Sequence, residues 1–355
     1  MKTYWTTLLT FLTFFAFAQK PTGDIQQDTA LANRNYEEAL DNGIYKREQS
    51  IKLLEQSILL YKNYPFNEKI LSIKGQLARL FGAEGRYEEA ENLAFAVITL
   101  GQKEFPNKKN IPALKFAYTA LSESVEDNKE AIKYGLKSRE CVKDDLPEYF
   151  AESVKFIYHL MTGREYDLSD SLITDLDHLA NSQGEESKRY AVYVYKCKMV
   201  QSHLLNDFDQ AIIYGEKFFY ENEVYNIYVA DELSPTYLKL GEIYSELGKY
   251  DEAIKATKKG MEVSKDPKDH PRFGVYYTYL ANVYREKKMY PIAIEHYEKG
   301  IKLMLKDSSV FQGTLGIDYY DLSNIYLNLG DFNNAVKCLK ESSRFYPSPI
   351  TKVQL

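Results

Sequence analysis

The stretch LGEIYSELGKYDEAIKATKKG, from Leu240 to Gly260, contains two short helical patterns separated by a glycine turn. Its small, aromatic and turn positions recur in one register in the segments around Ala281 and Ser323. A unit of this kind buries its apolar face only against neighbouring copies, so its repetition decides the architecture. The sequence therefore predicts an all-α protein, an α-solenoid of about eight stacked antiparallel helical hairpins.

Small residues recur at two positions of each clear hairpin. A small residue in the first helix is followed twelve positions later by an alanine in the second helix. These pairs are Ala78 with Ala90, Gly241 with Ala253, Ala281 with Ala293, and Ser323 with Ala335. Because small side chains let two antiparallel helices approach closely, we expect all eight positions to be buried.

Aromatic rings recur in the same register. One ring follows the small residue of the first helix by three positions, and another opens the second helix. The rings are Phe81 and Tyr87, Tyr244 and Tyr250, Tyr284 and Tyr290, and Tyr326 and Phe332. We expect them to fill the gaps between successive hairpins as core residues.

The turn between the two helices carries a glycine in three copies, at Gly85, Gly248 and Gly330, and Lys288 in the fourth. Glycine is favoured where a helix ends with a residue in the left-handed region of backbone conformation. The pattern thus predicts a helix stop at each position, with some strain at Lys288.

These positions resemble the tetratricopeptide repeat, whose pattern includes L-G-x2-Y, then Ala, an aromatic residue and a closing Pro. The residues that carry the resemblance are Leu240-Gly241 with Tyr244, Leu280-Ala281 with Tyr284, Leu322-Ser323 with Tyr326, Ala293 with Tyr297, and Pro347. The resemblance implies a right-handed superhelix, a right-handed α-solenoid whose first helices line a concave groove for a protein or peptide.

Weaker copies extend the pattern towards the N-terminus. Ala131 and Ala211 mark two more second helices, preceded by first helices at about 111–124 and 189–205. Segments 31–62 and 148–182 are typical of hairpins that have lost the consensus. The alanine-to-alanine spacing of about 40 residues is similar to the extended repeats of kinesin light chains and bacterial peptide-sensing regulators, and the whole resembles exported proteins of Bacteroidetes-like bacteria.

The sequence divides into four parts. We expect a signal peptide at 1–18, a linker at 19–30, the repeat array at 31–349 and a tail at 350–355. The clearest repeats are 71–104, 234–267, 274–307 and 316–349.

The signal-peptide prediction depends on three features of the first eighteen residues. Lys2 gives a basic start, the apolar stretch from Leu8 to Phe17 follows, and Ala16-Phe17-Ala18 forms a small-x-small cleavage site. This pattern predicts export, with cleavage near Ala18-Gln19 and a periplasmic or extracellular mature chain that has no membrane span. An uncleaved anchor is the alternative.

Composition argues against a nucleic-acid partner, because 45 Lys and Arg stand against 51 Asp and Glu, a net charge of −6. The cysteines Cys141, Cys197 and Cys338 lie far apart and are an odd number, which favours buried apolar thiols over a disulfide framework. A pair between Cys141 and Cys197 is the alternative. Oligomeric state is not predicted.

Catalytic and cofactor motifs are absent from the sequence. The five histidines are isolated, and no H-E-x-x-H, C-x-x-C, Gly-rich phosphate loop or G-x-S-x-G occurs. The acidic pairs Glu88-Glu89 and Asp251-Glu252 open second helices, where carboxylates complement the helix dipole. We therefore expect no enzyme activity, no metal and no cofactor.

The resemblance also implies groove contacts on the first helices. The residue after the small position corresponds to Arg79, Glu242, Asn282 and Asn324, with Arg285 and Tyr320 flanking the last two. An asparagine amide can both donate to and accept from an extended peptide backbone. The alternative is that the two asparagines only solvate or cap neighbouring helices.

Thirty-one tyrosines exceed what the repeat positions use, with a cluster at Tyr214, Tyr220, Tyr225 and Tyr228. Tyrosine is favoured at interfaces, and it also fills space between long helices. The main hypothesis is an exported, non-enzymatic scaffold that binds a protein or peptide. The alternative is the sensory part of an envelope signalling system linked to a histidine kinase or a transcriptional regulator.

Overall fold

The computed structural model describes residues 21–42, 46–62, 67–108, 111–182, 184–228 and 230–345. Within these ranges the chain forms helices and no strand. The predicted all-α helical-repeat solenoid is confirmed. The signal peptide at 1–18, Pro347 and the tail at 350–355 lie outside the described residues.

Sixteen long helices pair into eight hairpins in the described part of the chain, which agrees with the predicted number. They are α1 (Ile25–Asn42), α2 (Arg47–Tyr61), α3 (Glu68–Ala83), α4 (Tyr87–Glu104), α5 (Lys115–Ser124), α6 (Asn128–Glu140), α7 (Leu146–Thr162), α8 (Tyr166–Ser182), α9 (Ala191–Leu204), α10 (Phe208–Tyr225), α11 (Ala230–Glu246), α12 (Tyr250–Val263), α13 (Phe273–Glu286), α14 (Tyr290–Met304), α15 (Gln312–Asn328) and α16 (Phe332–Phe345). Odd-numbered helices are the first of each hairpin. Short 3-10 turns at Pro112–Leu114 and Leu305–Asp307, and a one-turn helix at Glu185–Lys188, lie between hairpins.

The described part of the chain forms two compact units, which meet between Leu176 and Asp177. The first unit contains hairpins 1 to 3, α7 and most of α8. The second contains the end of α8 and hairpins 5 to 8. In hairpins 1 to 3 and 5 to 8 the two helices pack together, and successive hairpins contact one another, as α3 does against α5 in the first unit and α14 against α15 in the second.

The core of each unit lies between successive hairpins. In the first unit one cluster joins hairpins 1 and 2 around Leu54, Ile73 and Leu80, all with at most 1% of their surface exposed. In the second unit a cluster joins hairpins 7 and 8 around Tyr297 and Leu315. Each hairpin therefore depends on its neighbour for burial, as the repeats predict.

The eight predicted small positions are all buried. They are Ala78, Ala90, Gly241, Ala253, Ala281, Ala293, Ser323 and Ala335. A Cβ on Gly241 would lie 2.7 Å from Thr257 Oγ1 and 3.2 Å from the Ala253 carbonyl oxygen. The first and second helices therefore approach closely at this position.

The turn position has the predicted left-handed backbone. Gly85, Gly248 and Gly330 have φ of 77°, 70° and 75°, and Lys288 has φ of 58°. Arg164 and Asn206, at φ of 63° and 62°, take the same conformation in hairpins 4 and 5. Ser169 lies five residues after Arg164 and has no exposed surface. It occupies the position that alanine has in the second helix of the clear repeats.

Two expectations differ from the structure. Helix α1 begins at Ile25, inside the predicted linker, because Asp28 accepts hydrogen bonds from the Thr22 N–H and hydroxyl at 2.9 Å each and so ties the chain to the helix. The rings of Tyr87 and Phe332 are 53% and 68% exposed and are not core. Both open a second helix beside the turn, where packing against neighbouring helices does not cover them.

The three cysteines are free and buried, and burial raises the pKa of Cys141 and Cys338 to about 11 and of Cys197 to about 12. Among the described residues, no group of three His, Cys, Asp or Glu side chains is placed to hold a metal ion. No helix in the described ranges combines the length and apolar character needed to cross a membrane.

Candidate binding groove

A groove of about 820 Å³ lies on the first unit. Its volume falls within the range of about 300–1,000 Å³ that is usual for ligand sites. Its helical lining comes from first helices α1, α3, α5 and α7, and the remainder from the segments that lead into α5 and α7. Four successive hairpins therefore present one face to this groove.

Apolar side chains form part of the lining. Tyr36 and Leu40 come from α1, and Pro112 and Phe116 lie at the start of the third hairpin. The Lys69 ammonium lies 4.0 Å from the centre of the Tyr36 ring, and Lys115 lies 4.7 Å from that of Phe116. These cation–π contacts hold both rings at the groove.

A polar stripe runs along the groove face of α3. Ser72, Gln76 and Arg79 all line the groove, and their spacing of four and three residues places them on one helix face. Gln76 is only 2% exposed. Arg79 is half-buried, and its Nη1 donates to Gln76 Oε1 at 3.5 Å, the upper limit for a hydrogen bond.

The charges that line the groove are largely paired. Of the four cations, Lys69 contacts Glu37 at 3.0 Å, Lys115 contacts Glu148, and Lys155 contacts Glu152 at 3.5 Å. Of the three acids, Glu68 contacts Lys108 at 2.9 Å, and the Asp145 carboxylate caps α7 by accepting from the Glu148 N–H at 3.2 Å. Arg79 is the groove cation that has no ion pair within the described residues.

Behind the groove, Glu152 holds Lys155 in place. Its carboxylate accepts hydrogen bonds from Thr119 Oγ1 at 2.7 Å and Ser138 Oγ at 2.6 Å. Burial acts to raise the pKa of Glu152, but the charge of Lys155 and these two hydroxyls outweigh it, so the pKa is lowered. A charged Glu152 therefore links α5, α6 and α7 and fixes the ammonium at the groove.

In the second unit, two predicted contact residues take part in a polar network between hairpins 7 and 8. The Tyr297 hydroxyl donates to Asn282 Oδ1, and Arg285 Nη1 donates to the Tyr297 hydroxyl at 3.4 Å. Arg285 also forms an ion pair with Asp321 at 2.8 Å. Asn282 Oδ1 thus accepts a hydrogen bond within this network, while its amide nitrogen makes none in the described part of the chain.

The other predicted contacts of the second unit lie on the same first helices. Asn324 and Tyr320 are half-buried, and their side chains make no hydrogen bond in the described part of the chain. Glu242 forms an ion pair with Lys239 on its own helix. Of the tyrosine cluster, Tyr228 is buried at 4% exposure and Tyr220 is exposed at 67%.

Most residues of the groove in the first unit were missed by sequence analysis, which named only Arg79. Among the missed residues are Tyr36, Lys69, Gln76, Lys115, Phe116 and Lys155. The repeat spacing could have identified two of them. Thr119 stands twelve positions before Ala131 and so occupies the small-residue position of the first helix, and Lys115 and Phe116 lie one helical turn before Thr119. For α1 and α7 the consensus gives no such marker.

Comparison with known proteins identifies the repeats. Family models of the tetratricopeptide repeat match residues 232–306 and 319–349. The chain therefore contains tetratricopeptide repeats, and such repeats generally mediate protein or peptide binding. No curated protein matches the sequence.

Solved structures share the fold at low sequence identity. BtubC (BKLC) from P. vanneervenii is 15% identical with a TM-score of 0.53, over 60% of this chain and 89% of that chain. Cut9-Hcn1 of the APC/C is 16% identical with a TM-score of 0.52, over 87% and 51%. The STAND protein PH0952 from Pyrococcus horikoshii, which has a tetratricopeptide repeat sensor, is 17% identical with a TM-score of 0.50, over 85% and 47%. This chain thus spans about half of the last two, and the likeness shows the fold alone.

Proposed function

We propose that this protein is a non-enzymatic scaffold that binds an extended segment of a partner protein in the groove of the first unit. The observation that carries the proposal is the groove of about 820 Å³ lined by first helices of four successive hairpins. A single surface that crosses several repeats suits an extended chain, because each hairpin can contact a few consecutive residues.

The second unit offers further contacts of the same kind. The Asn324 amide and the Tyr320 hydroxyl lie on α15 with no hydrogen-bond partner in the described ranges, and the Asn282 amide nitrogen lies on α13. An amide and a hydroxyl at half-buried positions can bond a peptide backbone without reading its sequence. We propose these three side chains as a separate set of peptide contacts on the second unit.

A site-specific photo-crosslinker tests the groove assignment. The photoreactive amino acid replaces Phe116 in the groove, or Phe95, which is 44% exposed on the second helix α4 and serves as the matched control. After irradiation in cell extract, we expect a defined partner to be captured at position 116 and not at position 95. Equal capture at both positions, or at position 95 alone, would reject the groove.

We also propose that the protein is exported. The support is the basic start, the apolar stretch and the Ala16-Phe17-Ala18 site of the first eighteen residues. Mass measurement of the protein from the envelope fraction should give a chain that begins at Gln19, and an intact N-terminus in the cytoplasmic fraction would contradict export. The sensory role in an envelope signalling system stays a prediction.

A further inference from the structure

We infer that the contact between hairpins 7 and 8 is a pH-dependent switch. The protonated carboxyl group of Asp318 holds hairpin 8 against hairpin 7, and loss of its proton releases hairpin 8 while the rest of the second unit stays folded. The switch is a property of the second unit itself and goes beyond the proposed function.

Asp318 occupies a repeat position that is buried in every clear repeat. This position lies five residues before the small residue of the first helix and is at most 7% exposed. Its occupants are Ile73 in hairpin 2, Thr236 in hairpin 6, Tyr276 in hairpin 7 and Asp318 in hairpin 8. Of these four, only Asp318 has a carboxyl group. A carboxylate that is buried without a partner is costly, so this position disfavours the charged form.

The contact between hairpins 6 and 7 shows how a neutral group satisfies the same position. The Tyr276 hydroxyl and Ser234 Oγ share a hydrogen bond of 2.6 Å, and Ser234 Oγ donates to the Gly260 carbonyl oxygen at 2.6 Å. These bonds join α13 to both helices of hairpin 6. At the equivalent position of hairpin 8, Asp318 Oδ2 has no hydrogen-bond partner within the described residues. The two contacts therefore differ in one unsatisfied carboxyl oxygen.

A second carboxylate close to Asp318 makes its charged form less favourable still. Asp321 lies one helical turn further along α15 and forms an ion pair with Arg285 at 2.8 Å. Burial, followed by the charge of Asp321, raises the pKa of Asp318 to about 8. The Asp318 carboxyl is therefore mostly protonated at neutral pH while the two hairpins are in contact.

The helices packed against α15 bring no free cation to Asp318. Their charged and titratable groups that act on α15 are Arg285 and Glu286 on α13, Tyr297 and Glu298 on α14, and Cys338, Glu341 and Arg344 on α16. Both arginines form ion pairs, Arg285 with Asp321 and Arg344 with Glu341. Burial raises the pKa of Tyr297 and Cys338, which keeps both uncharged at neutral pH. Within the described ranges, an ionised Asp318 would thus stay unpaired.

The direction of the switch follows from where the proton is bound. When hairpin 8 separates from hairpin 7, Asp318 enters water, where an aspartate has a pKa of about 4. The closed contact binds one more proton than the open one between about pH 4 and about pH 8. The equilibrium constant for opening should therefore rise roughly tenfold per pH unit across this range and level off above it. Acidic conditions keep hairpin 8 in contact, and alkaline conditions release it.

The proposed peptide contacts of the second unit lie on both sides of this contact. Asn282 belongs to α13, whereas Tyr320 and Asn324 belong to α15. Release of hairpin 8 would separate them. This consequence rests on the proposed function: peptide binding at the three side chains should weaken as pH rises, and the groove of the first unit should not respond.

The buried cysteines provide a probe of the switch in the purified full-length protein. Cys338 lies in the cluster that joins hairpins 7 and 8, and Cys197 lies in hairpin 5 of the same unit and has no exposed surface. The protein is treated with a maleimide between about pH 5.5 and about pH 8.5, and peptide mass spectrometry gives the labelling rate of each thiol. Dividing by the rate in the urea-unfolded protein at the same pH removes the effect of thiolate formation.

The corrected rate of Cys338 should rise roughly tenfold per pH unit up to about pH 7.5 and level off above about pH 8, while that of Cys197 stays constant. Asp318→Asn should abolish the rise, as should Asp318→Thr, which introduces the residue that hairpin 6 has at this position. Glu295→Gln is the matched control, because it neutralises an exposed carboxylate of α14 and should keep the wild-type rise.

Three results would overturn the switch: a corrected rate at Cys338 that does not change with pH, an unchanged rise in Asp318→Asn, or an equal rise at Cys197. Both Asp318 variants should fold, because they replace a group that is neutral in the folded protein, and failure of both to fold would also contradict the switch. None of these results affects the groove of the first unit, which crosslinking at position 116 tests separately.

Discussion

The residue that joins the two helices of a hairpin takes a left-handed backbone conformation in six hairpins of the described chain. Three of these residues are glycines, and the others are Arg164, Asn206 and Lys288. Left-handed conformation costs a residue with a side chain about 1–2 kcal/mol, and glycine largely avoids that cost. The turns at the non-glycine positions are therefore held by the packing of the helices on either side.

Lys288→Gly should raise the stability of the second unit by about 1 kcal/mol, because it relieves the strain at φ of 58°. Lys288 is exposed, so no packing is lost. The apparent midpoint of urea unfolding should rise. Gly330→Ala is the matched control, since it introduces a side chain at a left-handed position and should lower the midpoint by a similar amount. A lowered midpoint for Lys288→Gly would show that Lys288 is not strained in the folded protein.

The sequence identifies these turns where glycine marks them or, at Lys288, where the repeat register is clear. Gly85, Gly248 and Gly330 indicate their helix ends, whereas arginine and asparagine at the same position look like ordinary surface residues. In the same way Ser169 stands where the repeat has alanine, because this buried position of the second helix requires a small side chain and not one residue type. This is the physical reason why the fourth hairpin had almost no readable consensus.

At the scale of the helix pair, α13 and α14 approach closely through two glycines. A Cβ on Gly300 would lie 2.4 Å from Thr278 Cγ2 and 2.8 Å from the Gly274 carbonyl oxygen. A Cβ on Gly274 would lie 2.6 Å from the Gly300 carbonyl oxygen. Neither position has room for a side chain unless the helices separate.

We expect Gly300→Ala to destabilise the second unit by about 1–3 kcal/mol, the usual range for overpacking. A Cβ on Gly313, which lies on α15, would meet no atom within 4 Å, so Gly313→Ala should be neutral or slightly stabilising. Thermal unfolding followed by circular dichroism compares the two variants. Equal melting temperatures for both would show that α13 and α14 are not in close contact.

The seam between α13 and α15 contains a buried acid. Asp318 is 3% exposed, and its Oδ2 has no hydrogen-bond partner within the described residues. Burial, followed by the charge of Asp321, raises the pKa of Asp318 to about 8, and the Thr278 hydroxyl acts in the opposite direction. Asp321 on α15 and Tyr297 on α14 interact electrostatically with Asp318, and Arg285 on α13 forms an ion pair with Asp321.

Asp318 should make the stability of the second unit fall as pH rises. The unfolded chain releases this proton near pH 4 and the folded chain near pH 8, so the folded state binds more protons between these values. The contribution is therefore complete below about pH 4 and is lost as pH rises through about 8. Unfolding midpoints measured from pH 5 to about 9 should decline in the wild type and decline much less in Asp318→Asn. An identical slope in the two proteins would contradict a buried neutral Asp318.

Helix pairs could be predicted better than the groove they form. Packing forces small residues to recur, so the array was readable from Ala253 and its equivalents. A groove side chain such as the half-exposed Lys155 is not constrained by packing, and nothing in the repeat pattern marks it. The ion pair between Lys115 and Glu148 joins residues 33 positions apart, and only the packed hairpins place the two side chains together.

At the scale of the whole molecule, packing and the proposed recognition involve different faces of the same helices. Small and apolar residues at the hairpin contacts form the core clusters of each unit. The first helices of the first unit then leave one face uncovered, and this face forms the groove. Because stability depends on neighbouring hairpins, the groove residues can change without loss of the fold.

Hydrogen–deuterium exchange of the full-length protein, with and without a bound partner segment, tests most directly whether recognition lies on the first helices. The account predicts slower exchange on binding in α3, α5 and α7, which line the groove, with little change in the second helices α4 and α6. Protection confined to α4 and α6, with α3, α5 and α7 unchanged, would contradict it.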